Sequence, residues 1–266
     1  MDNIFSHPFM IKAFAVAFMI ALSAPCIGLP IVLKRFSSIG DATSHSALGG
    51  ITLGLLLGIN PIIGAVAFSI LAVLSIEALR KRFGTYREIS TVVVMSAGIG
   101  LTAVLSGFIT NGSANINSFM FGSIVAISDF ELALTLILST LVIILTMLLY
   151  KETFAITFDE EAAKLCGIPV RAINFILMLL TAITVSVASR IVGALMISSM
   201  LVIPVGTAML VSKSYKQTLM LSIVFAELFT LGGLFISYYL NLRPGGTIVL
   251  LGTLVLTITA LTKKRK

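Results

Sequence analysis

The sequence predicts an all-α fold, a polytopic bundle of membrane-spanning helices. The mean hydropathy is +1.12, and hydrophobic residues make up 58% of the chain against 11% charged residues. Soluble domains are far more polar than this. A membrane-crossing helix needs about 20 apolar residues, and the chain offers about nine such runs. Because these runs fill the sequence, we expect a single transmembrane domain over residues 1–266.

Polar breaks divide the apolar sequence into helices with short connections. Pro61 starts a new run after Asn60, and the turn cluster that begins at Asn241 ends another. The first run lacks the basic start of a signal peptide and continues past Pro30, so it is interpreted as a retained span. The predicted spans are 9–33, 42–59, 61–79, 89–110, 131–150, 171–189, 191–212, 218–240 and 246–262.

The stretch from Asn111 to Ser128 does not fit this pattern. It begins with turn-forming residues, and the apolar part that follows Phe119 is too short to cross a membrane. We expect a re-entrant or interfacial helix packed against protein, because backbone groups left facing lipid would remain without partners.

Asp41 and His45 stand where uninterrupted apolar sequence is expected, near the start of the second span. Residues four apart lie on one face of a helix, one turn from each other. A carboxylate and an imidazole at this spacing are able to share one divalent cation, and such groups inside a membrane are costly unless they bind or conduct something. A structural alternative stays open, in which Asp41 caps the helix and His45 bonds to a neighbouring hydroxyl.

Two further residues are candidates for a polar path through the bundle. Glu227 lies in mid-span, where a charge costs roughly 2.5–3.5 kcal/mol. It is either protonated, paired with a neighbouring span, or part of the path. Pro204 frees one backbone carbonyl in the seventh predicted span and is either a gate element or a packing residue. His7, the other histidine of the chain, is interpreted as an ordinary interfacial residue.

Lysine and arginine indicate the orientation of the bundle. Most of them fall in loops on one side, which the positive-inside rule makes cytoplasmic. With nine spans, the N-terminus is expected outside and the C-terminus inside. The basic residues on the cytoplasmic side are Lys34, Arg35, Arg80, Lys81, Arg82, Arg87, Lys151, Lys164, Arg171, Lys213, Lys216 and those at 263–266. The formal charge of +7 is spread over these loops, so a nucleic-acid partner is not expected.

Residues 157–169 are predicted to form a short helix between two spans. Thr157 and Glu160 have the spacing of a capping box. Asp159, Glu160 and Glu161 sit in the first turn, where the helix dipole favours acidic side chains, and Gly167 supplies a left-handed exit. A short amphipathic helix exposed between spans is able to dock in a groove on a soluble partner. The alternative, a helix lying on lipid, is disfavoured because anionic headgroups repel the acidic cluster.

Four segments, in order along the chain, carry a known family pattern. Ser38–Gly50 contains the arrangement Gly-Asp-x-x-x-His, and Phe158–Val170 is similar to a coupling segment that seats on an ATPase. Val192–Ala208 is similar to the most characteristic span of the family, and Gly245–Leu250 to its tail. Together these segments resemble the permease subunits of ATP-binding-cassette importers that take up zinc, manganese or iron.

The resemblance implies a homodimer in which two pairs of Asp41 and His45 line one passage. It also implies a cytoplasmic ATP-binding subunit docked on Phe158 and its neighbours, an extracytoplasmic metal-binding protein, and a location in the bacterial inner membrane. A divalent metal ion, zinc ahead of manganese and iron, is expected as the transported substrate, with no permanently bound cofactor.

The sequence contains no G-x-x-x-x-G-K-[ST] loop and no catalytic constellation, so the chain is not predicted to be an enzyme. ATP hydrolysis is therefore expected on a partner subunit. Two alternatives from other classes stay open: a secondary transporter driven by an ion gradient, and a membrane scaffold that transports nothing.

Overall fold

The computed structural model describes residues 8–83, 86–109, 113–123, 127–189 and 192–263. Within these ranges the chain forms α-helices joined by short turns, with one 3₁₀ turn at Ala194–Met196. The all-α fold predicted from the sequence is confirmed. The helices are α1 (Pro8–Leu33), α2 (Ser38–Leu57), α3 (Pro61–Phe83), α4 (Arg87–Ser106), α5 (Ser113–Phe121), α6 (Asp129–Leu148), α7 (Tyr150–Phe158), α8 (Glu160–Leu165), α9 (Val170–Ala188), α10 (Ile197–Val211), α11 (Tyr215–Leu240) and α12 (Pro244–Thr262).

Each predicted span coincides with one helix of the bundle. In the described part of the chain, seven helices are long and apolar enough to cross a membrane: α1, α3, α4, α6, α9, α11 and α12. The other two predicted spans differ: α10 has only 15 residues, and α2 carries many polar side chains in its first half. Both pack against several other helices. A helix enclosed by protein does not need the apolar surface that lipid demands.

The helix α1 packs against α6, α9, α10 and α11. Its side chain Ile20 belongs to one buried apolar cluster together with Leu201 of α10 and Leu234 of α11. Gly28 lies so close to α10 that an added Cβ would be 2.3 Å from the carbonyl oxygen of Leu201. Small residues at such crossings let helices approach closely, which supplies packing energy where lipid gives no hydrophobic driving force.

The helix α2 is enclosed by α3, α4, α9 and α10. Gly50 of α2 and Gly64 of α3 face each other, and a Cβ added at Gly50 would lie 2.2 Å from the Gly64 carbonyl oxygen. The two backbones therefore touch at this crossing. As a result most of α2 is buried, which makes its few accessible side chains informative.

One end of the bundle, here called the basic end, carries Lys34, Arg80 and Lys164. The Lys34 ammonium lies 3.7 Å from the Glu160 carboxylate at the start of α8. The Arg80 guanidinium, near the end of α3, lies 4.4 Å from the centre of the Phe36 ring. The end of α1, the end of α3 and the segment α7–α8 therefore meet here, as the distribution of basic residues predicts.

The opposite end of the bundle holds the remaining connections. There the Lys12 ammonium lies 2.5 Å from the Asp129 carboxylate, and the Arg243 guanidinium lies 4.6 Å from the centre of the Phe121 ring. The long helices run alternately between the two ends. The chain therefore enters α1 at the opposite end and leaves α12 at the basic end.

The predicted coupling helix is present as α8, but its predicted cap is wrong. The Thr157 hydroxyl donates to the Thr153 carbonyl inside α7, at 2.6 Å, because α7 continues to Phe158. Asp159 is the N-cap instead, and its carboxylate accepts hydrogen bonds from the amides of residues 161 and 162. The left-handed exit at Gly167 is confirmed, with φ of 81°.

The short helix α5 occupies the region predicted as re-entrant or interfacial. It packs against α2, α12 and the 3₁₀ turn, and its Phe119 side chain is buried in a cluster with Leu48 and Ile51 of α2. Gly193 approaches it so closely that an added Cβ would lie 2.5 Å from the Met120 carbonyl oxygen. The segment therefore packs against protein through Phe119 and Met120, whereas Asn117 is exposed.

Candidate metal site on the second helix

The site begins where α1 turns into α2. Arg35 adopts a left-handed conformation with φ of 57°, its amide donates to the Val32 carbonyl at 3.1 Å, and the Phe36 amide donates to the Ile31 carbonyl at 2.8 Å. These two bonds form a Schellman motif. The turn is consequently closed by backbone bonds, and α2 starts immediately at Ser38.

This early start decides the role of Asp41 in the helix. The N-cap position is Ser37, which makes no side-chain capping bond. Asp41 is the fourth residue of α2, four positions after the N-cap, so the capping alternative raised by the sequence is wrong. The negative charge of Asp41 still interacts favourably with the N-terminal dipole of α2.

Asp41 and His45 share the accessible strip of α2. Ser38 and Asp41 are exposed in the isolated subunit and His45 is half-buried, whereas the residues between them are buried. Positions 38, 41 and 45 lie on one helical face. Asp41 is close enough to His45 for an electrostatic interaction. Across the described residues neither side chain forms a hydrogen bond, which leaves carboxylate and imidazole lone pairs available to a cation.

The hydroxyl groups around the pair are already engaged. Thr43 donates to the Ile39 carbonyl at 2.8 Å, and Ser44 donates to the Gly40 carbonyl at 2.7 Å. Ser186 of α9 reaches the Ser69 hydroxyl of α3 at 2.9 Å. The Ser69 hydroxyl in turn donates to the Thr43 carbonyl at 3.3 Å, which joins α3 to α2. The predicted hydroxyl partner for His45 is therefore wrong for the described residues.

The position of His45 is set by a glycine on α4. A Cβ added at Gly98 would lie 2.7 Å from the Ser46 amide nitrogen and 2.8 Å from the His45 carbonyl carbon. The backbone of α4 therefore rests directly on the α2 backbone at the imidazole-bearing residue. Close-packed interiors resist displacement, so this contact holds the imidazole at a fixed height on the strip.

A single subunit supplies too few ligands for a closed metal site. Among the residues that the structure describes, no three His, Cys, Asp or Glu side chains come together. Structural zinc sites have four protein ligands. The pair Asp41 and His45 is chemically suited to a weak, open site that is completed by water or by another chain.

Glu227 and Pro204 are not brought together with this pair. Glu227 lies on α11, which packs against α1, α10 and α12, and both of its carboxylate oxygens are buried without a hydrogen-bond partner in the described chain. Pro204 lines a small apolar crevice together with Phe229 and Ile248. The pathway role of both residues stays a prediction.

The coupling segment presents an exposed surface at the basic end. Phe158 is 68% exposed, and Leu165 is 90% exposed. The ring centres of Phe158 and Tyr215 are 6.3 Å apart, so the end of α7 is braced against the start of α11. Exposed apolar side chains next to acidic ones are typical of a surface that another protein covers.

Sequence reasoning missed the buried contacts of Lys34. Its ammonium bonds to the Asn174 side-chain oxygen at 2.5 Å and faces Glu160. A lysine directly after an apolar run is the sole signal in the sequence, and it does not indicate a partner 140 residues away. His7 lies outside the described residues.

Comparisons with known proteins agree with this architecture. Residues 6–263 match the family model "ABC 3 transport family". A Treponema pallidum protein named "Probable metal transport system membrane protein" is 35% identical over 254 residues, covering 95% of this chain and 94% of that protein. The manganese transport system membrane protein MntC of Listeria innocua is 31% identical over 262 residues, covering 98% of this chain and 93% of that protein.

A solved structure is also similar. In the structure described as PsaBC from Streptococcus pneumoniae in complex with Fab, one chain superposes with a TM-score of 0.87 at 29% identity, covering 97% of this chain and 93% of that chain. The present chain is a membrane permease subunit and not an enzyme, and ATP hydrolysis resides on a separate subunit. From the family match along nearly its whole length, the chain belongs to the ABC 3 transport family.

Proposed function

We propose that this permease moves a divalent transition metal ion into the cell, with Asp41 and His45 as its ligands. The observation that carries the proposal is the placement of both side chains on the accessible strip of a mostly buried helix, where neither has a hydrogen-bond partner in the described chain. Unpaired polar groups in a membrane bundle are expensive. A cation that passes between them supplies the missing partner.

Manganese is the proposed cargo ahead of zinc, which reverses the order expected from the sequence. The relative from Listeria innocua is named for manganese transport, and carboxylate oxygen is a ligand that Mn²⁺ accepts readily. Two ligands in each subunit also favour rapid release, since a tightly held ion would not leave the path.

A homodimer would complete the site. Two copies facing each other across the strip formed by Ser38, Asp41 and His45 would supply two carboxylates and two imidazoles. Four such ligands suit either cation. The exposed apolar side chains of α4, such as Val93 and Val104, give a second copy a surface to pack on.

The proposed partners bind at the two ends of the bundle. The ATP-binding subunit docks at the basic end, on Phe158, Asp159, Glu160, Glu161 and Gly167, and an extracytoplasmic metal-binding protein docks at the opposite end. The positive-inside rule then places the basic end, and with it the C-terminus, in the cytoplasm of a bacterium. Glu227 and Pro204 are proposed as secondary elements of the path.

The test is uptake into liposomes that contain the permease and its ATP-binding subunit. Asp41→Asn and His45→Gln should reduce manganese uptake at least tenfold, because changing a residue that only orients a metal ligand already weakens metal binding by about 10–100-fold. Ser38→Ala is the matched control, since Ser38 lies on the same strip but is not one of the proposed ligands. If the assembled Asp41 and His45 variants take up manganese at the parental rate, the proposal is wrong. Uptake that needs no ATP would instead favour a secondary transporter.

A further inference from the structure

The buried cation Lys34 joins three segments at the basic end. Its side chain is 6% exposed, which is unusual for lysine. The ammonium bonds to Asn174 of α9 at 2.5 Å and lies 3.7 Å from Glu160, the first residue of α8. Burying an ammonium is costly unless it is paired and hydrogen-bonded, so these contacts are needed to keep it there.

Burial disfavours the charged form of Lys34, and the nearby Glu160 carboxylate favours it. Burial lowers the pKa of Lys34 below its usual range, the Glu160 carboxylate opposes that shift, and Arg80 adds to it. Both cations lie near the Phe36 ring, whose centre is 5.6 Å from the Lys34 ammonium and 4.4 Å from the Arg80 guanidinium. The charge of Glu160 therefore compensates a cation that would otherwise be poorly tolerated.

The chain connects this contact directly to the metal strip. Lys34 is the last residue before the left-handed Arg35, and the backbone bonds of Arg35 and Phe36 back to α1 close the turn. α2 begins at Ser38, and at a rise of about 1.5 Å per residue Asp41 lies roughly 4.5 Å further along the axis. Glu160 is therefore connected to Asp41 through a short path, which consists of the Lys34 side chain, the hydrogen-bonded turn at Arg35 and the first turn of α2.

We propose that Lys34 is a positioning residue that transmits movement of the coupling helix α8 to α2, through its contacts with Glu160 and Asn174. This inference rests on the proposed function. When the ATP-binding subunit moves α8, the Lys34 contacts shift the start of α2 and change the geometry of Asp41 and His45. With both contacts made, the start of α2 has one defined position. The ATP-binding subunit is able to change this position by moving α8.

The experiment measures metal transported per ATP hydrolysed in liposomes containing the complete complex. Lys34→Met keeps the length of the side chain and removes its charge, and Asn174→Leu removes the side-chain oxygen that accepts the hydrogen bond from Lys34. Both variants should retain ATP hydrolysis and assembly while the transport ratio falls about tenfold, within the usual range of coupling between sites. Lys34→Arg should restore much of the ratio.

Lys81→Met is the matched control, because Lys81 is exposed at the same end and lies 4.0 Å from Glu77; its transport ratio should equal the parental one. A parental transport ratio in Asn174→Leu, or a parallel fall of ATP hydrolysis and transport in that variant, overturns the proposal even if Lys34→Met fails to assemble. A parental complex that moves no metal would instead overturn the proposed function.

Discussion

Replacing Gly98 with alanine should displace α4 from α2 at His45. The added methyl group would lie 2.7 Å from the Ser46 nitrogen, whereas ordinary contacts start at 3.4 Å, so the helices must separate by roughly 0.7 Å. Overpacking of this kind costs about 1–3 kcal/mol. Because the backbone of His45 is in the contact, the imidazole moves with it and metal binding should weaken about tenfold.

Gly100→Ala on the same helix is the matched control, because nothing lies within 4 Å of a Cβ added there. Both variants gain the same helix propensity, up to about 1 kcal/mol, so their difference isolates the packing cost. In thermal unfolding of the purified protein, the Gly98 variant should melt roughly 2–10 °C below the Gly100 variant. Equal melting temperatures together with equal manganese affinity would refute the close contact at His45.

Three further predictions follow from single residues. Asp159→Ala removes the acceptor for the amides of Glu161 and Ala162, so α8 should lose about 1 kcal/mol of local stability. Amide hydrogen exchange in α8 should then accelerate. Unchanged protection from exchange would contradict the capping role of Asp159. Protonation of the His45 imidazole competes with the metal, so manganese uptake should fall as the pH is lowered into the acidic range. Uptake that does not change with pH in this range would contradict an imidazole ligand. Glu227→Gln removes a buried carboxylate whose oxygens have no hydrogen-bond partner among the described residues, so the melting temperature should rise. A lower melting temperature would contradict this placement of Glu227. Loss of uptake at an unchanged melting temperature would assign Glu227 to the path.

The helices were predictable because long apolar runs leave few other choices in a membrane. The predicted span 42–59 and the helix Ser38–Leu57 agree over most of their length, since the same Gly-rich and Leu-rich residues define both. The start was less predictable, because it depends on a turn closed by a left-handed Arg35. That difference of four residues turned Asp41 from a candidate cap into a residue within the helix.

Local capping and long-range contacts set the limit of the sequence prediction. Thr157 and Asp159 are both good cap residues and lie two positions apart. Which of them caps α8 depends on how far α7 continues, and the packing of Phe158 against Tyr215 extends α7 to Phe158. The bond from Lys34 to Asn174 joins residues 140 positions apart. No local pattern encodes such a contact, because it arises from the way α1 and α9 meet in the bundle.

The most direct test of the metal site observes the imidazole on the ion. The permease chain has two histidines, His7 and His45, so isotopic labelling of histidine in this chain alone leaves two candidate nitrogen sources. Pulsed electron paramagnetic resonance of the Mn²⁺-loaded complex should detect a directly bound imidazole nitrogen. The magnetic coupling between Mn²⁺ and the imidazole nitrogen should persist in His7→Gln and disappear in His45→Gln. A signal that survives in His45→Gln, or no nitrogen coupling in the parental complex, would contradict the assignment.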